Sequence, residues 1–376
     1  MNCLSPGRSR SITPLLAILL FAVFPTAKAV ESVESQLTPL TNGTVANATT
    51  VTNNFRTLGQ AIDKVLAGNV IWVAKSGGQF TSIAEALAYV VSQPSGTAAT
   101  AVNPYVIRVA PGAYQEPTLA VPAYTSIIGS GPTATRIYSQ DSPGIEPLKG
   151  ATEVRLADFE LTLLGDNTGY GLNFIAANNE NIVIERAKFI VTVPSGAGLY
   201  FKGTGSLILQ NVEVAVTGTD AGSMAGVELR GGADLHAVNS EINAGGSSDA
   251  VLGVNIVGAG GSAELDTCSV TAGGSNLVAG IYLDASTATT GSSLPEAVIR
   301  NSVLRQTGGS GFNSGSGVVS GAYNPAVSGT SPSVYIAHTE MNTESAGDLY
   351  PTRHHAYKWG EGNVQELSNN CRILSN

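Results

Sequence analysis

Gly171-Leu172-Asn173-Phe174 returns as Gly198-Leu199-Tyr200-Phe201, Gly226-Val227-Glu228-Leu229, Gly253-Val254-Asn255-Ile256 and Gly280-Ile281-Tyr282-Leu283. The steps are 27, 28, 27 and 27 residues. A period in this range marks a solenoid, in which each repeat is one supersecondary unit stacked on the next. Functional side chains are then to be sought along columns of stacked residues.

A second column carries the repeat further. Leu156, Ile184, Leu209, Ala237, Leu265, Ile299 and Ile336 each have an apolar residue five places on: Leu161, Phe189, Val214, Ile242, Val270, Leu304 and Met341. Between them, two places after the first member, stand Asp158, Arg186, Asn211, Asn239, Thr267, Asn301 and His338. This mostly polar column reads as a bend, because Asn and Asp tolerate bend geometry and hydrogen-bond their own backbone. A leucine-rich repeat has a similar period but needs helical or extended return segments. Returns such as Thr217–Gly226 and Ala244–Gly253 are too rich in glycine for helix. The expected fold is therefore all-β, a right-handed parallel β-helix, since parallel crossovers are right-handed. Its stacked turns lie about 4.8 Å apart.

The ends differ from the repeat. Arg8 and Arg10 precede an apolar run from Leu15 to Phe24 and then Ala27-Lys28-Ala29. That is the pattern of a secretory signal with its cleavage site, so residues 1–29 are set apart from the fold. The expected location is secreted, periplasmic or at the cell surface. Loss of the signal leaves 16 basic against 28 acidic residues, a net charge of −12. That balance argues against nucleic acid as a partner. Once the signal is removed, no run is long enough to insert in a membrane. Cys268 and Cys371 then remain, and whether they pair is open; no Cys/His spacing reads as a metal site, and no cofactor is indicated.

Residues 30–68 are expected to form a helical stalk. Ala48, Val51, Phe55, Leu58, Ile62 and Val65 follow a 3-4 spacing, a narrow coiled-coil seam. Either residues 42–66 join subunits, as a homotrimer, or this helix lies on the solenoid body. A second helix, Thr81–Val91, is expected to cap the open end of a β-helix spanning 69–345, with 346–376 as a C-terminal cap or tail.

Residues 72–138 contain WVAKSGGQFTSIAEALAYV, YVIRVAPGAYQE and SIIGSGPTATRI. This stretch resembles the opening of pectinesterases and related pectin-lyase-fold proteins, over about a fifth of the chain. The resemblance implies the same coiled scaffold. The family's chemistry rests on aspartates, one in an Asp-Phe-Ile-Phe-Gly segment, on an arginine in Leu-Gly-Arg-Pro-Trp, and on glutamines. Neither segment occurs in this chain; the nearest echo is Asp158-Phe159-Glu160-Leu161. No catalytic residue is carried over.

In the repeated phrase the third residue points away from the core. The outward column is Asn173, Tyr200, Glu228, Asn255 and Tyr282, and two residues on runs Ile175, Lys202, Arg230, Val257 and Asp284. Tyr200, Lys202, Glu228, Arg230, Tyr282 and Asp284 are the candidate carbohydrate-binding residues, since rings that stack on sugars need charged hydrogen-bonding groups beside them. The alternative is a solvated sheet face with cross-strand pairs Glu228–Arg230 and Lys202–Glu228. Glu228 and Asp284 stand two turns apart, roughly 10 Å at the spacing of sheet strands, too far for one reacting bond. Two functions stay open: an exported polysaccharide-binding or adhesion module, and a pectinesterase or polysaccharide lyase whose catalytic set is not visible.

Overall fold

The computed structural model describes residues 69–220, 222–247, 249–275, 277–285, 295–308, 316–323, 333–337, 339–344 and 372–373. The signal, the stalk and its trimer seam, His338 and Cys371 lie outside the described residues.

The chain winds as a parallel β-solenoid, with every strand pair between coils parallel among the described residues. Each coil contributes a strand to three sheets in turn, as in Val154–Ala157, Glu160–Leu164 and Gly169–Ile175. We number the sheets in that order. Sheets 1 and 2 have ten strands each and sheet 3 has eight. The sequence columns are true registers: Leu156 pairs with Ile184 and Ile184 with Leu209, while Phe189 sits between Leu161 and Val214. Inward residues of all three sheets merge into one core, in which Phe159 meets Phe189, and Phe174 meets Phe201, edge to face.

The bend between sheets 1 and 2 explains the polar column. Asp158, Arg186, Asn211, Asn239, Thr267 and Asn301 all have φ between 47° and 60°. Among residues other than glycine, this left-handed conformation suits Asn and Asp best. It is held by a ladder in which each N–H donates to the next coil: Asp158 to Glu185, Arg186 to Gln210, Asn211 to Val238, Asn239 to Asp266 and Thr267 to Arg300, at 2.9–3.1 Å. The next residue points inward. There Ser240 and Ser302 accept from the N–H groups of Val212 and Cys268, at 3.1 and 3.0 Å. Cys268 is a free, buried thiol in the same column, donating to the carbonyls of Ala237 and Asp266.

The glycine of the repeated phrase has a steric cause. Gly198 and Leu199 both face the core, so the strand in sheet 3 breaks its in/out alternation here. A Cβ on Gly198 would lie 2.4 Å from Val214 Cγ1, and one on Gly226 would lie 2.3 Å from Ile242 Cγ2. Each of these glycines lets sheet 3 pass against the inner side chains of sheet 2.

The first coil is closed by helix α1, Ile83–Val91, which buries Ile83, Ala86, Leu87 and Val90. Ser82 is its N-cap. Glu116, buried at 6% exposure, accepts from the Ser82 hydroxyl at 2.7 Å and from the N–H groups of Ile83 and Ala84 at 2.8 and 3.1 Å. A carboxylate placed on the unpaired N–H groups of a helix start neutralises them and favours the helix dipole. The outer edge of the first strand, Val70–Val73, is also closed. Gln79 Oε1 accepts from Trp72 N–H, and the Trp72 carbonyl accepts from Gln79 and Phe80. Such closure removes a template for edge pairing. At the far end Arg372–Ile373 adds a final strand to sheet 2 against Glu340–Met341, a segment of the expected tail.

Candidate functional site

Sheet 3 carries the candidate face. Asn173, Tyr200, Glu228, Asn255 and Tyr282 stand in unbroken register across five coils. Ile175, Lys202, Arg230, Val257 and Asp284 do the same two residues on. Both columns are those the sequence periodicity implies.

A third outward column lies on the other side of the glycine: Tyr170, Ala197, Ala225, Leu252 and Ala279. These small residues and Leu252 form an apolar patch outside the main core, packed against Tyr170, Tyr200 and Tyr282. The rings of Tyr170 and Tyr200 lie 5.0 Å apart at a 46° tilt. The alanines leave the room in which the rings settle. Desolvation there raises the pKa of both phenols above the usual tyrosine value, so both are neutral at physiological pH.

Glu228 is outward in register yet only 9% exposed. Its Oε1 accepts from Arg230 Nε at 2.5 Å along the same strand. The Arg230 guanidinium also stands 6.0 Å above the Tyr200 ring, within cation–π range. The Glu228–Arg230 pair thus forms, within one strand rather than across two. The cross-strand pair Lys202–Glu228 does not form: among the described residues Lys202 has no ion pair, and it is exposed. Asn255, 8% exposed, and Asn173 hold side-chain oxygens with no hydrogen-bond partner. These buried acceptors flank the Tyr200 and Glu228 rungs.

The structure therefore brings Tyr200, Glu228, Arg230 and Tyr170 into one cluster, with Lys202 at its rim. It leaves Tyr282 and Asp284 on a rung two coils beyond Glu228. Tyr282 packs on the far end of the apolar patch. Tyr170 is the member that the sequence columns do not include.

Other polar groups lie elsewhere. Asp158, the echo of a family motif, is a bend residue between sheets 1 and 2, whose two oxygens accept from Nε and Nη2 on one edge of the Arg186 guanidinium at 2.7 and 2.8 Å. Phe159 beside it is core. Glu160, Lys188, Glu213 and Glu241 form a column on sheet 2, where Lys188 pairs with Glu213 at 2.7 Å and Glu241 accepts from Asn243. Among the described residues no three metal-ligating side chains cluster, the loop residues Asp166, Asp220 and Asp249 included. An open groove of about 510 Å³ follows the bend between Asn211 and Asn301, with Glu213 and Glu241 on its wall. It lies at the sheet 1–sheet 2 corner, away from the tyrosine face, and its Asn239 and Asn211 side chains bond each other.

No family model matches the chain, and no curated protein matches it. Solved structures match its winding. Pectin methylesterase from carrot is 12% identical over 81% of this chain and 88% of that chain, with a TM-score of 0.37. Pectin methylesterase PemA from Erwinia chrysanthemi is 15% identical over 74% of this chain and 80% of that chain, with a TM-score of 0.40. The A-module of mannuronan C-5 epimerase AlgE4 from Azotobacter vinelandii is 14% identical over 71% and 92%, with a TM-score of 0.29. These likenesses concern how the chain coils and carry nothing about its chemistry. Among the described residues no helix is long and apolar enough to cross a membrane.

Proposed function

We propose that this chain is an exported polysaccharide-binding module that holds glycan on the outer face of sheet 3. The observation that carries the reading is the paired Tyr170–Tyr200 platform, set on Ala197 and Ala225 and bordered by the Glu228–Arg230 pair. A sugar ring has an apolar face that packs on an aromatic ring and an edge of hydroxyls that need acceptors and donors. Here the rings supply the first. Glu228 supplies an acceptor, and the remaining N–H groups of Arg230 supply donors.

The reading is binding rather than turnover because the carboxylate nearest the rings is committed to an arginine. The other carboxylates of the face stand apart from it, Asp284 two coils on and Glu146, on the rung next to Asn173, three coils back.

The test is a panel of immobilised oligosaccharides probed with the wild type and with Tyr170→Ala/Tyr200→Ala. We expect retention of a defined subset and its loss in the variant, with circular dichroism unchanged. Retention of the same subset by a folded double variant overturns the reading. So does release of product from a retained glycan, which makes the chain an enzyme.

A further inference from the structure

We propose that the outer face of sheet 1 is an interface between two copies of this chain, packed face to face with their solenoids antiparallel. This face is apolar where that of sheet 2 is charged. Val70, Val106, Val183, Ile208 and Val298 share one outward column of sheet 1, and Trp72 and Val238 stand in the next. Val70, Val238 and Trp72 are exposed, the indole to 55%. The corresponding column of sheet 2 runs Arg136, Glu160, Lys188, Glu213 and Glu241. Large apolar side chains held in water on a rigid sheet, with polar groups around them, mark a contact surface.

Charge selects the partner. At the first coils the face carries Arg108, which is exposed and in no ion pair among the described residues, while Arg155 is matched by Glu185. At the far coils it carries Asp234, Glu264, Asp266 and Glu296 against Arg300. The carboxylate of Asp266 accepts from the neutral side chains of Thr267 and Asn301, so its charge is unmatched. One end of the face is thus positive and the other negative, with Val183 and Ile208 between them. A second copy turned end for end offers each end its complement.

A two-fold axis along the strand at Val183 makes these contacts. Arg108 and Asp266 share the neighbouring column and lie three coils from Val183, in opposite directions; Trp72 and Arg300 lie four coils away. Rotation sets Arg108 of one copy over Asp266 of the other, Trp72 over Arg300 and Val70 over Val298, while Val183 meets its own counterpart. The first is an ion pair and the second a cation–π contact. Nine strands at about 4.8 Å, each about 16 Å long, give about 600 Å² per copy, the lower part of the range for a stable dimer. Pairing through the edge of the first strand is closed, because Gln79 and Phe80 already occupy the Trp72 N–H and carbonyl.

The experiment is sedimentation equilibrium of the full chain as wild type, Arg108→Glu, Asp266→Lys, Arg108→Glu/Asp266→Lys and Trp72→Ala. The wild type should reach twice the chain mass, with a dissociation constant that rises with added salt. Arg108→Glu sets like charges together at two symmetry-related places and should raise that constant at least about tenfold. Asp266→Lys should act alike, and the double exchange should restore association, because opposite charges meet again at both places. Misfolding of a single variant would not be repaired in this way. Trp72→Ala should weaken the dimer with circular dichroism unchanged. A wild type that stays a single chain overturns the proposal, and if that single chain is held by the oligosaccharide panel through Trp72, the face belongs to glycan instead. An oligomer indifferent to Arg108→Glu also overturns it and moves assembly elsewhere, such as residues 42–66. So does a double exchange that fails to restore association.

Discussion

The carboxylate of Glu228 and the guanidinium of Arg230 bond each other at 2.5 Å while differing sharply in exposure, with 11% of the glutamate side chain and 46% of the arginine side chain open to solvent. The two partners are therefore not equivalent. Removing Arg230 leaves an ionised group almost buried and unpaired. Removing the charge of Glu228 leaves a cation that solvent already reaches. We expect Arg230→Ala to destabilise the fold by about 2 kcal/mol, discounted from a fully buried pair because solvent reaches the arginine. Glu228→Gln should cost about half of that. Urea unfolding of both variants checks the order, and equal losses contradict it.

The phenols beside that pair make stability depend on alkaline pH. Burial comes first among the causes that raise the pKa of Tyr170 and Tyr200, and Glu228 raises both further. A raised folded-state pKa means that the folded chain holds the proton more tightly than the unfolded chain. The resulting stability is present in full below the unfolded value of about 10 and is lost as pH rises through the folded values. Thermal unfolding followed from neutral to strongly alkaline pH should show this decline. Tyr170→Phe/Tyr200→Phe should flatten it, and an unchanged slope sinks the assignment.

How much of this was legible in the sequence depends on the local rule that the chain obeys. The bend column was readable because positive φ selects Asn and Asp often enough to show through, even with Arg186 and Thr267 among its members. Two outward columns followed from strict alternation after each phrase glycine. Tyr170 did not, because alternation fails at that glycine. Gly171 and Leu172 both turn inward, so Tyr170 and Asn173 are outward although three residues apart. The burial of Glu228 was also invisible, since a column position says which way a side chain points and not what covers it. The rings themselves pack on the patch of Ala197, Ala225, Leu252 and Ala279, so they are less free than an outward position implies.

That broken alternation gives a sharp steric test. A Cβ on Gly226 meets Ile242 Cγ2 at 2.3 Å and the Gly253 carbonyl oxygen at 2.6 Å, and the latter is backbone that cannot rotate away. Gly226→Ala should destabilise by about 3 kcal/mol, the upper range for overpacking a filled core. Gly165→Ala is the control. Its Cβ comes no nearer than 3.5 Å, to Val193 Cγ1, so its effect should stay within about 0.5 kcal/mol. Similar melting shifts for the two variants refute the account of the repeated glycine.

The last prediction concerns the end of the solenoid. Glu116 reaches from the strand side of the first coil to the start of α1 and accepts from Ser82, Ile83 and Ala84 together. It replaces the solvent that the exposed start of a helix otherwise needs, and it ties that start to the coil beneath. Three bonds to one ionised acceptor are each stronger than neutral ones. Glu116→Ala strips all three and leaves the buried N–H of Ile83 and the part-buried N–H of Ala84 without partners, which should cost about 3 kcal/mol. Glu116→Gln keeps one acceptor oxygen and should cost about half. The loss should also be local before it is global, because α1 packs only on the first strands. Amide hydrogen exchange should therefore rise first in residues 82–91, ahead of the sheet 3 strand Gly196–Lys202. Uniform loss of protection along the solenoid would show that the cap and the coils unfold as one unit, and that Glu116 holds the whole stack rather than its lid.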